Sequence, residues 1–278
     1  MSDQEPDVVR QAREYYDSSD ADNFYFNIWG GEDLHIGWYQ SEDESIFDAS
    51  QRTVRRMLSK LDHLPEGSKV LDLGAGFGGS ARLIVREKGH HVTCLNLSVV
   101  QNDRNRRMNE EQGLADKIDV YDGNFEELPF GDDAFDAIWS QDSFLHSGRR
   151  KQIFGEMDRV LRPGGDVIFT DPMQREDVDP ATLQPVLDRI HLESLGSIEK
   201  YTRYAEELGW RVIEIEEKTD TLAMHYARVL EELERRTEEM KQHCSPEYME
   251  KMKQGLRHWV EAGRNGALAW GILHFRKS

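Results

Sequence analysis

Between residues 70 and 170, short apolar runs alternate with longer amphipathic stretches. Val70–Leu73, Val92–Leu97, Ile118–Tyr121, Phe135–Trp139 and Val167–Thr170 each read as a buried strand. Ser80–Lys88, Val99–Gln112 and Arg150–Leu161 read as helices between them, with turns at Leu128–Pro129 and Arg162–Gly165. Strand–helix alternation of this kind predicts an α/β fold, with a parallel sheet covered by helices on both faces.

The flanks follow other rhythms. Residues 7–16 carry Val8, Val9, Ala12, Tyr15 and Tyr16 at helical spacing, and a polar break, DSSDAD, follows. An aromatic-dense stretch, NFYFNIWGGEDLHIGWY, leads to a second helical segment over 45–61, closed by a turn at Pro65–Gly67. Beyond the alternating region, Asp171–Gly196 is a long connection containing the helix-like LQPVLDRIHLESL. Ile198–Leu208 and Trp210–Glu216 restore a helix and a strand. Leu222–Gln242 inserts a further helix, whose Glu231–Arg235 and Glu232–Arg236 pairs stand at the favourable i,i+4 spacing. ALAWGILHF, Ala267–Phe275, is the closing strand. With no repeat or low-complexity linker, the pattern predicts one domain over 1–278. It comprises an N-terminal cap (1–62), a core (68–172), and insertions with the last strands (173–278).

Composition narrows the partners. The 278 residues carry a formal charge of −18, which argues against nucleic acid and against anionic membranes, since both need a cationic surface. Eleven of the 35 basic residues are lysines. An acidic, lysine-poor surface stays soluble where salt screens charge, and it suggests a salt-loving source. Cys94 and Cys244 can build neither a disulfide framework nor a CxxC metal site, and no metal is expected. MSDQEPDVVR has no apolar secretory segment, and no run approaches the ~20 apolar residues of a membrane span. A soluble, cytoplasmic protein is expected.

The sharpest chemical signal is VLDLGAGFGG, Val70–Gly79. A strand runs into a glycine-rich turn that opens a helix, so the backbone can approach a ligand at the helix N-terminus. Alone, this spacing fits several nucleotide cofactors. Together with GNFEELPF, WSQDSFLH and RVLRPGGDVIFTDP it resembles the motif set of class I S-adenosylmethionine-dependent methyltransferases over roughly residues 68–172. The resemblance implies that Asp72 and the backbone of Gly74, Gly76 and Gly78 face the methionine part of S-adenosylmethionine. Asn96 stands at the ribose position and Asn124 and Phe125 at the adenine position, with Asn twice replacing the usual acid. Gln141, after the fourth strand, completes the cofactor set, and S-adenosylhomocysteine would be the product. The implied fold is a Rossmann-like seven-stranded sheet, mostly parallel with an antiparallel last strand, an N-terminal helical cap and a late helical insertion. A nicotinamide-dependent dehydrogenase is the rival; it lacks both an acid at residue 96 and a hydride-transfer pair.

Ser140–Gln141–Asp142–Ser143 replaces the [DN]PP[YF] loop of DNA and protein-glutamine methyltransferases, which points to a small-molecule acceptor. YYDSSDADNFYFNIWGGEDLHIGWY, SQDSFLHS, TDPM and HWVEAGRNGALAWG closely resemble the sarcosine/dimethylglycine N-methyltransferases over nearly the whole chain. That resemblance implies methylation of sarcosine and dimethylglycine to glycine betaine. The nucleophile must be a neutral amine, so a proton acceptor is wanted. His146 at the sheet rim, with Tyr16 and Tyr25 from the cap, fits; related phosphoethanolamine methyltransferases use a tyrosine and a histidine at similar positions. A quaternary ammonium product is best held by aromatic faces, and Tyr25, Trp29, Trp38 and Trp270 are candidates. The substrate carboxylate wants an arginine fork, from Arg189 or Arg264. Pro172 and Met173 follow the fifth strand, where the family places acceptor contacts, and His225–Tyr226 is a further candidate pair. Two alternatives stay open: another small amine such as a phosphobase, or a cofactor-binding protein without turnover. The oligomeric state is not encoded in any of these patterns.

Overall fold

The computed structural model describes residues 7–190 and 192–278. Seven strands form one sheet: β1 (Lys69–Leu73), β2 (His91–Asn96), β3 (Ile118–Asp122), β4 (Phe135–Gln141), β5 (Leu161–Thr170), β7 (Arg211–Glu217) and β9 (Gly271–Arg276). Their order is β3-β2-β1-β4-β5-β9-β7. Only β9 runs against its neighbours, β5 and β7. The chain leaves β1 towards β2 on one side and returns as β4 on the other. This reversal opens a crevice at the carboxyl ends of β1 and β4, where open α/β sheets bind ligands.

The helices α4 (Gly79–Lys88), α5 (Val99–Glu111), α6 (Arg150–Val160) and α8 (Ile198–Glu207) connect the strands. One apolar cluster joins β1, β2 and α4 through Val70, Cys94 and Ile84 to α3 (Ile46–Ser59) through Met57. A second joins β4, β5 and α6 through Ile138, Phe169 and Phe154. The short apolar runs are therefore strands, and those of the centre, β1, β4 and the second half of β5, are covered on both faces as their composition predicts, whereas β3 at the edge is largely exposed.

Elsewhere the structure departs from the sequence pattern. The polar break after α1 (Asp7–Tyr16) is a helix start: the Ser18 hydroxyl accepts the Ala21 N–H at 3.2 Å and caps α2 (Ser19–Phe24). Side-chain capping is what Ser and Asp do best at such a position. A π-helical turn, Tyr25–Gly30, then carries the aromatic stretch inward. The expected turn Arg162–Gly165 lies inside β5, absorbed by a register shift against β4. The expected helix over 222–242 breaks into α9 (Asp220–Arg235) and α10 (Thr237–Met240). At Arg236 the backbone leaves the helical region, and its guanidinium pairs with Glu239 and the Asn27 carbonyl. Of the two expected i,i+4 pairs, Glu232–Arg236 stands at 3.7 Å, whereas Glu231 pairs with Arg228 instead.

Sequence reading missed α11 (Pro246–Arg264). Its Ser245 cap and its buried Met249, Met252, Leu256 and Trp259 pack it along α9 and α7 (Pro180–Ile190). The closing strand is split: β8 (Leu268–Ala269) pairs with β6 (Met173–Gln174), and β9 resumes after Trp270. Together the cap, α9 and α11 enclose a third apolar cluster around Phe24, Trp29, Tyr226 and Trp259. No described helix is long and apolar enough to cross a membrane.

Candidate active site

The crevice is a cavity of about 990 Å³, counting its open mouth. Five chain segments wall it: the cap tyrosines 16 and 25, the loop Glu32–His35, the turn from Asp72 to Ser80, residues Asn96–Gln101, and Gly123–Glu126. The end of β4, from Gln141 to His146, closes it.

The glycine turn brings backbone to the wall. Gly74 and Gly76 sit at φ 76° and 53°, a left-handed region costly for residues with a Cβ. A Cβ on Gly76 would lie 2.9 Å from Leu34 Cδ1, so the cap loop rests directly on the turn. Gly78, also expected at the site, instead precedes α4, and a Cβ there would strike the Asn105 side chain. It shapes the turn from outside the cavity.

Several buried polar atoms at the wall have no hydrogen-bond partner in the protein: Asp72 Oδ2, Gln101 Nε2 and Gln141 Nε2. Such atoms are costly unless a ligand or water meets them. Gln141 is oriented by its other end, since Oε1 accepts from Ser80 Oγ at 2.5 Å and Trp139 Nε1 at 3.0 Å. Asn96 donates to Gln101 Oε1 at 3.1 Å, and Asn124 Oδ1 accepts the Glu126 N–H at 2.9 Å. Phe125 packs edge-on against Phe144, with ring centroids 5.8 Å apart. Burial pushes the Asp72 carboxyl up to about 7; the His35 charge opposes this and Asp33 adds to it.

In the same cavity, Tyr16 OH and His146 Nε2 are hydrogen bonded at 2.9 Å. His146 ends the 3-10 turn Phe144–His146 that follows β4. The end of α1 is held there by Ser98, whose hydroxyl donates to Asp17 Oδ1 at 2.6 Å and contacts the Tyr16 carbonyl. Tyr25 continues the row, with ring centroids 5.6 Å from Tyr16 and 5.2 Å from Trp29.

The remaining expected residues stand away from the cavity wall. Trp29 lies behind Tyr25, against His225 and Tyr226. Trp38 packs on Trp270 and under the Arg56 guanidinium, 4.3 Å from its ring centroid. Trp270 Nε1 donates to Asp142 Oδ1 at 2.8 Å. Pro172 and Met173 are buried, the latter paired with Ala269 across β6 and β8. His225 is fully buried, its Nδ1 accepting from Gly37 N–H and Tyr39 OH, and burial lowers it to about 3. Arg264 is exposed in the last turn of α11, and the Arg189 side chain lies outside the described residues. Among the described residues, no arginine or lysine lines the cavity, so the expected fork is not brought there. No described group of His, Cys, Asp and Glu could hold a metal ion.

Sequence reading missed the loop Glu32–His35 and Asp142 as site residues. The available signal was three polar residues, Glu32, Asp33 and His35, inside an otherwise aromatic stretch. Asp142 takes φ 51° and accepts the Ile36 N–H at 2.6 Å, fixing the loop to the end of β4.

Comparison with known proteins agrees with this geometry. The profile of the mycolic acid cyclopropane synthetase family matches residues 3–268. The sarcosine/dimethylglycine N-methyltransferase of Aphanothece halophytica is 57% identical over 97% of this chain and 98% of its own. That of Halorhodospira halochloris is 52% identical over 97% of each. A crystal structure from Galdieria sulphuraria, provisionally assigned as a sarcosine dimethylglycine methyltransferase, is 46% identical. It superposes with TM-score 0.90 over 95% of this chain and 99% of its own. The fold and the glycine-turn cavity are those of a class I S-adenosylmethionine-dependent methyltransferase. Within that class, the chain belongs to the sarcosine/dimethylglycine N-methyltransferase family.

Proposed function

We propose that the protein transfers methyl groups from S-adenosylmethionine to the amine of sarcosine and then dimethylglycine, giving glycine betaine. The observation that carries this reading is the hydrogen-bonded Tyr16–His146 pair lining the same cavity as the glycine turn. Relatives at 57% and 52% identity named for those acceptors support it.

The unpartnered amides and the left-handed glycine turn fit the cofactor. Asp72, Gly74 and Gly76 would take its methionine end, Asn96 and Gln101 its ribose, and Asn124 and Phe125 its adenine. Gln141 would close the cradle. When bound, the cofactor supplies an electrophilic methyl group on a positively charged sulfur. His146 Nε2, steered by Tyr16 OH, takes the proton of the acceptor ammonium and leaves a lone pair on nitrogen. Tyr16 and Tyr25 offer aromatic faces to the cationic product, and Trp29 backs Tyr25. A phosphobase would want converging cations, which the described wall does not offer. We read the whole chain as one catalytic domain, and its acidic, lysine-poor surface as that of a cytoplasmic enzyme from a salt-loving organism.

Labelled cofactor incubated with glycine, sarcosine, dimethylglycine and phosphoethanolamine tests the assignment. Sarcosine and dimethylglycine should be methylated and glycine poorly. Steady-state rates that favour glycine would place the enzyme one methylation earlier, and a preference for phosphoethanolamine would replace the acceptor class.

Asp72 gives cofactor binding a pH signature. Its folded value of about 7 lies above the ~4 of an unfolded aspartate. Its contribution to stability is thus present below pH ~4 and lost as pH rises through 7. A cationic ligand end favours the ionised carboxylate, so binding expels a proton below neutrality. Affinity for S-adenosylhomocysteine should therefore climb between about pH 5 and 7 and level off above. Calorimetry across that range should show the slope, and Asp72→Asn should flatten it. An unaltered slope in the variant would assign the effect to another group.

A further inference from the structure

Pro172 and Met173 stand away from the cavity, but the aspartate before them has other work. Asp171, next after β5, is fully buried. Its Oδ1 accepts the Leu145 N–H at 2.9 Å, and its Oδ2 accepts the Tyr201 hydroxyl at 2.6 Å. The Leu145 carbonyl is taken as well: Arg150 Nη2 donates to it at 3.2 Å and to the Ser194 carbonyl at 2.8 Å. Both backbone polar groups of Leu145 are thus held by side chains, and Leu145 directly precedes His146. Asp171, Arg150 and Tyr201 do not themselves line the cavity.

The turn that carries His146 has little of its own to hold it. The His146 N–H donates to the Ser143 carbonyl and the Ser147 N–H to the Phe144 carbonyl, each at 3.1 Å, and such 3-10 bonds have poorer geometry than those of an α-helix. The groups that grip it are themselves confined. Tyr201, from α8, stacks on Phe154 with ring centroids 5.7 Å apart and meets Phe169 edge-on at 5.2 Å. A Cβ on Gly196 would strike its hydroxyl end, so the ring has no room to turn away. Burial pushes the Asp171 carboxyl up to about 7, and the Tyr201 hydroxyl and the Arg150 charge oppose this. Without the carboxylate, a buried N–H and a buried O–H would both be left unmet.

We infer that Asp171 is a positioning residue for His146. Tyr201 orients its carboxylate, and Arg150 closes the other side of the same peptide. The inference rests on the proposed reaction, in which His146 is the base. A proton acceptor must stand within hydrogen-bond reach of the ammonium it deprotonates. A misplacement of about 1 Å can cost about a hundredfold in rate. Fixing the Leu145 peptide fixes where the next residue starts, and so keeps Nε2 on the Tyr16 hydroxyl.

The test is a double-mutant cycle. Asp171→Ala should lower kcat about tenfold or more, with the Kd of S-adenosylhomocysteine within about twofold of wild type. In Asp171→Asn the side-chain oxygen still accepts the Leu145 N–H and the amide can donate to the Tyr201 oxygen, so most of the rate should return. In a His146→Ala background, the change Asp171→Ala should cost less than about twofold, because a residue that acts through His146 has nothing left to position. An equal loss in both backgrounds, or a full kcat in folded Asp171→Ala, would overturn the inference. If Asp171→Ala fails to fold, or if His146→Ala alone keeps the full rate, ¹⁵N-histidine spectra decide. The His146 ring resonance is the one missing from His146→Ala, and it should move in Tyr201→Phe; a resonance that stays in place overturns the inference. A full rate in His146→Ala removes the general base and leaves the clamp to be judged by that resonance, so the two failures are told apart.

Discussion

His146→Ala should lower the maximal rate about a hundredfold or more, the usual scale for losing a general base. Raising the pH should restore part of that rate, because more acceptor then arrives as the neutral amine. Affinity for S-adenosylhomocysteine should hardly change, since the ring nitrogen is engaged with the cap, meeting Tyr16 OH at 2.9 Å. Tyr16→Phe should cost less, because the phenyl ring keeps the aromatic face and only the hydroxyl steering Nε2 is lost. Rates against pH, together with calorimetry of the same variants, separate the possibilities. Lost cofactor affinity or early melting would make His146 a positioning residue. A full rate at every pH would mean that amine already deprotonated in water is captured, leaving alignment as the main source of rate.

Gly76→Val should abolish measurable cofactor binding, with a loss of more than about a hundredfold, or ~2.7 kcal/mol. Two effects add. At φ 53° a β-branched residue is strained by about 1–2 kcal/mol. The new side chain would also start 2.9 Å from Leu34 Cδ1, so the cap loop would have to lift from the turn. The thermal midpoint should fall by a few degrees, which a melting curve registers before calorimetry is attempted. A folded Gly76→Val protein that binds S-adenosylhomocysteine normally would remove the glycine turn from the cofactor site.

The centre of the sheet was legible because its strands are buried on both faces, and continuous apolar runs such as Val70–Leu73 betray that burial directly. The glycine turn and His146 were legible because strand ends at a reversal of strand order are where α/β folds gather ligands, and Tyr16, at the end of α1, through the resemblance of the cap to related methyltransferases. What escaped was decided by single polar side chains. Ser18 converts a polar break into a helix start, and Ser245 opens α11 after a stretch that reads as a loop. Trp270 interrupts the closing strand because its indole donates to Asp142 while its backbone N–H donates to the Thr219 hydroxyl. His35 escaped because a lone histidine in an aromatic run says nothing of its surroundings; only the folded chain sets Asp33 and Asp142 around it. Arg264 was drawn in by the need for a fork, yet its place on α11 leaves it in solvent.

Asp142 joins parts of the chain that lie far apart in sequence. Its carboxylate holds the Ile36 N–H of the cap loop, 106 residues away, with one oxygen and the Trp270 indole, 128 residues away, with the other. The wall that covers the glycine turn is thus anchored by two long loop closures meeting at one side chain, so its ordering carries a chain-entropy cost that the local strand pairing beneath it does not.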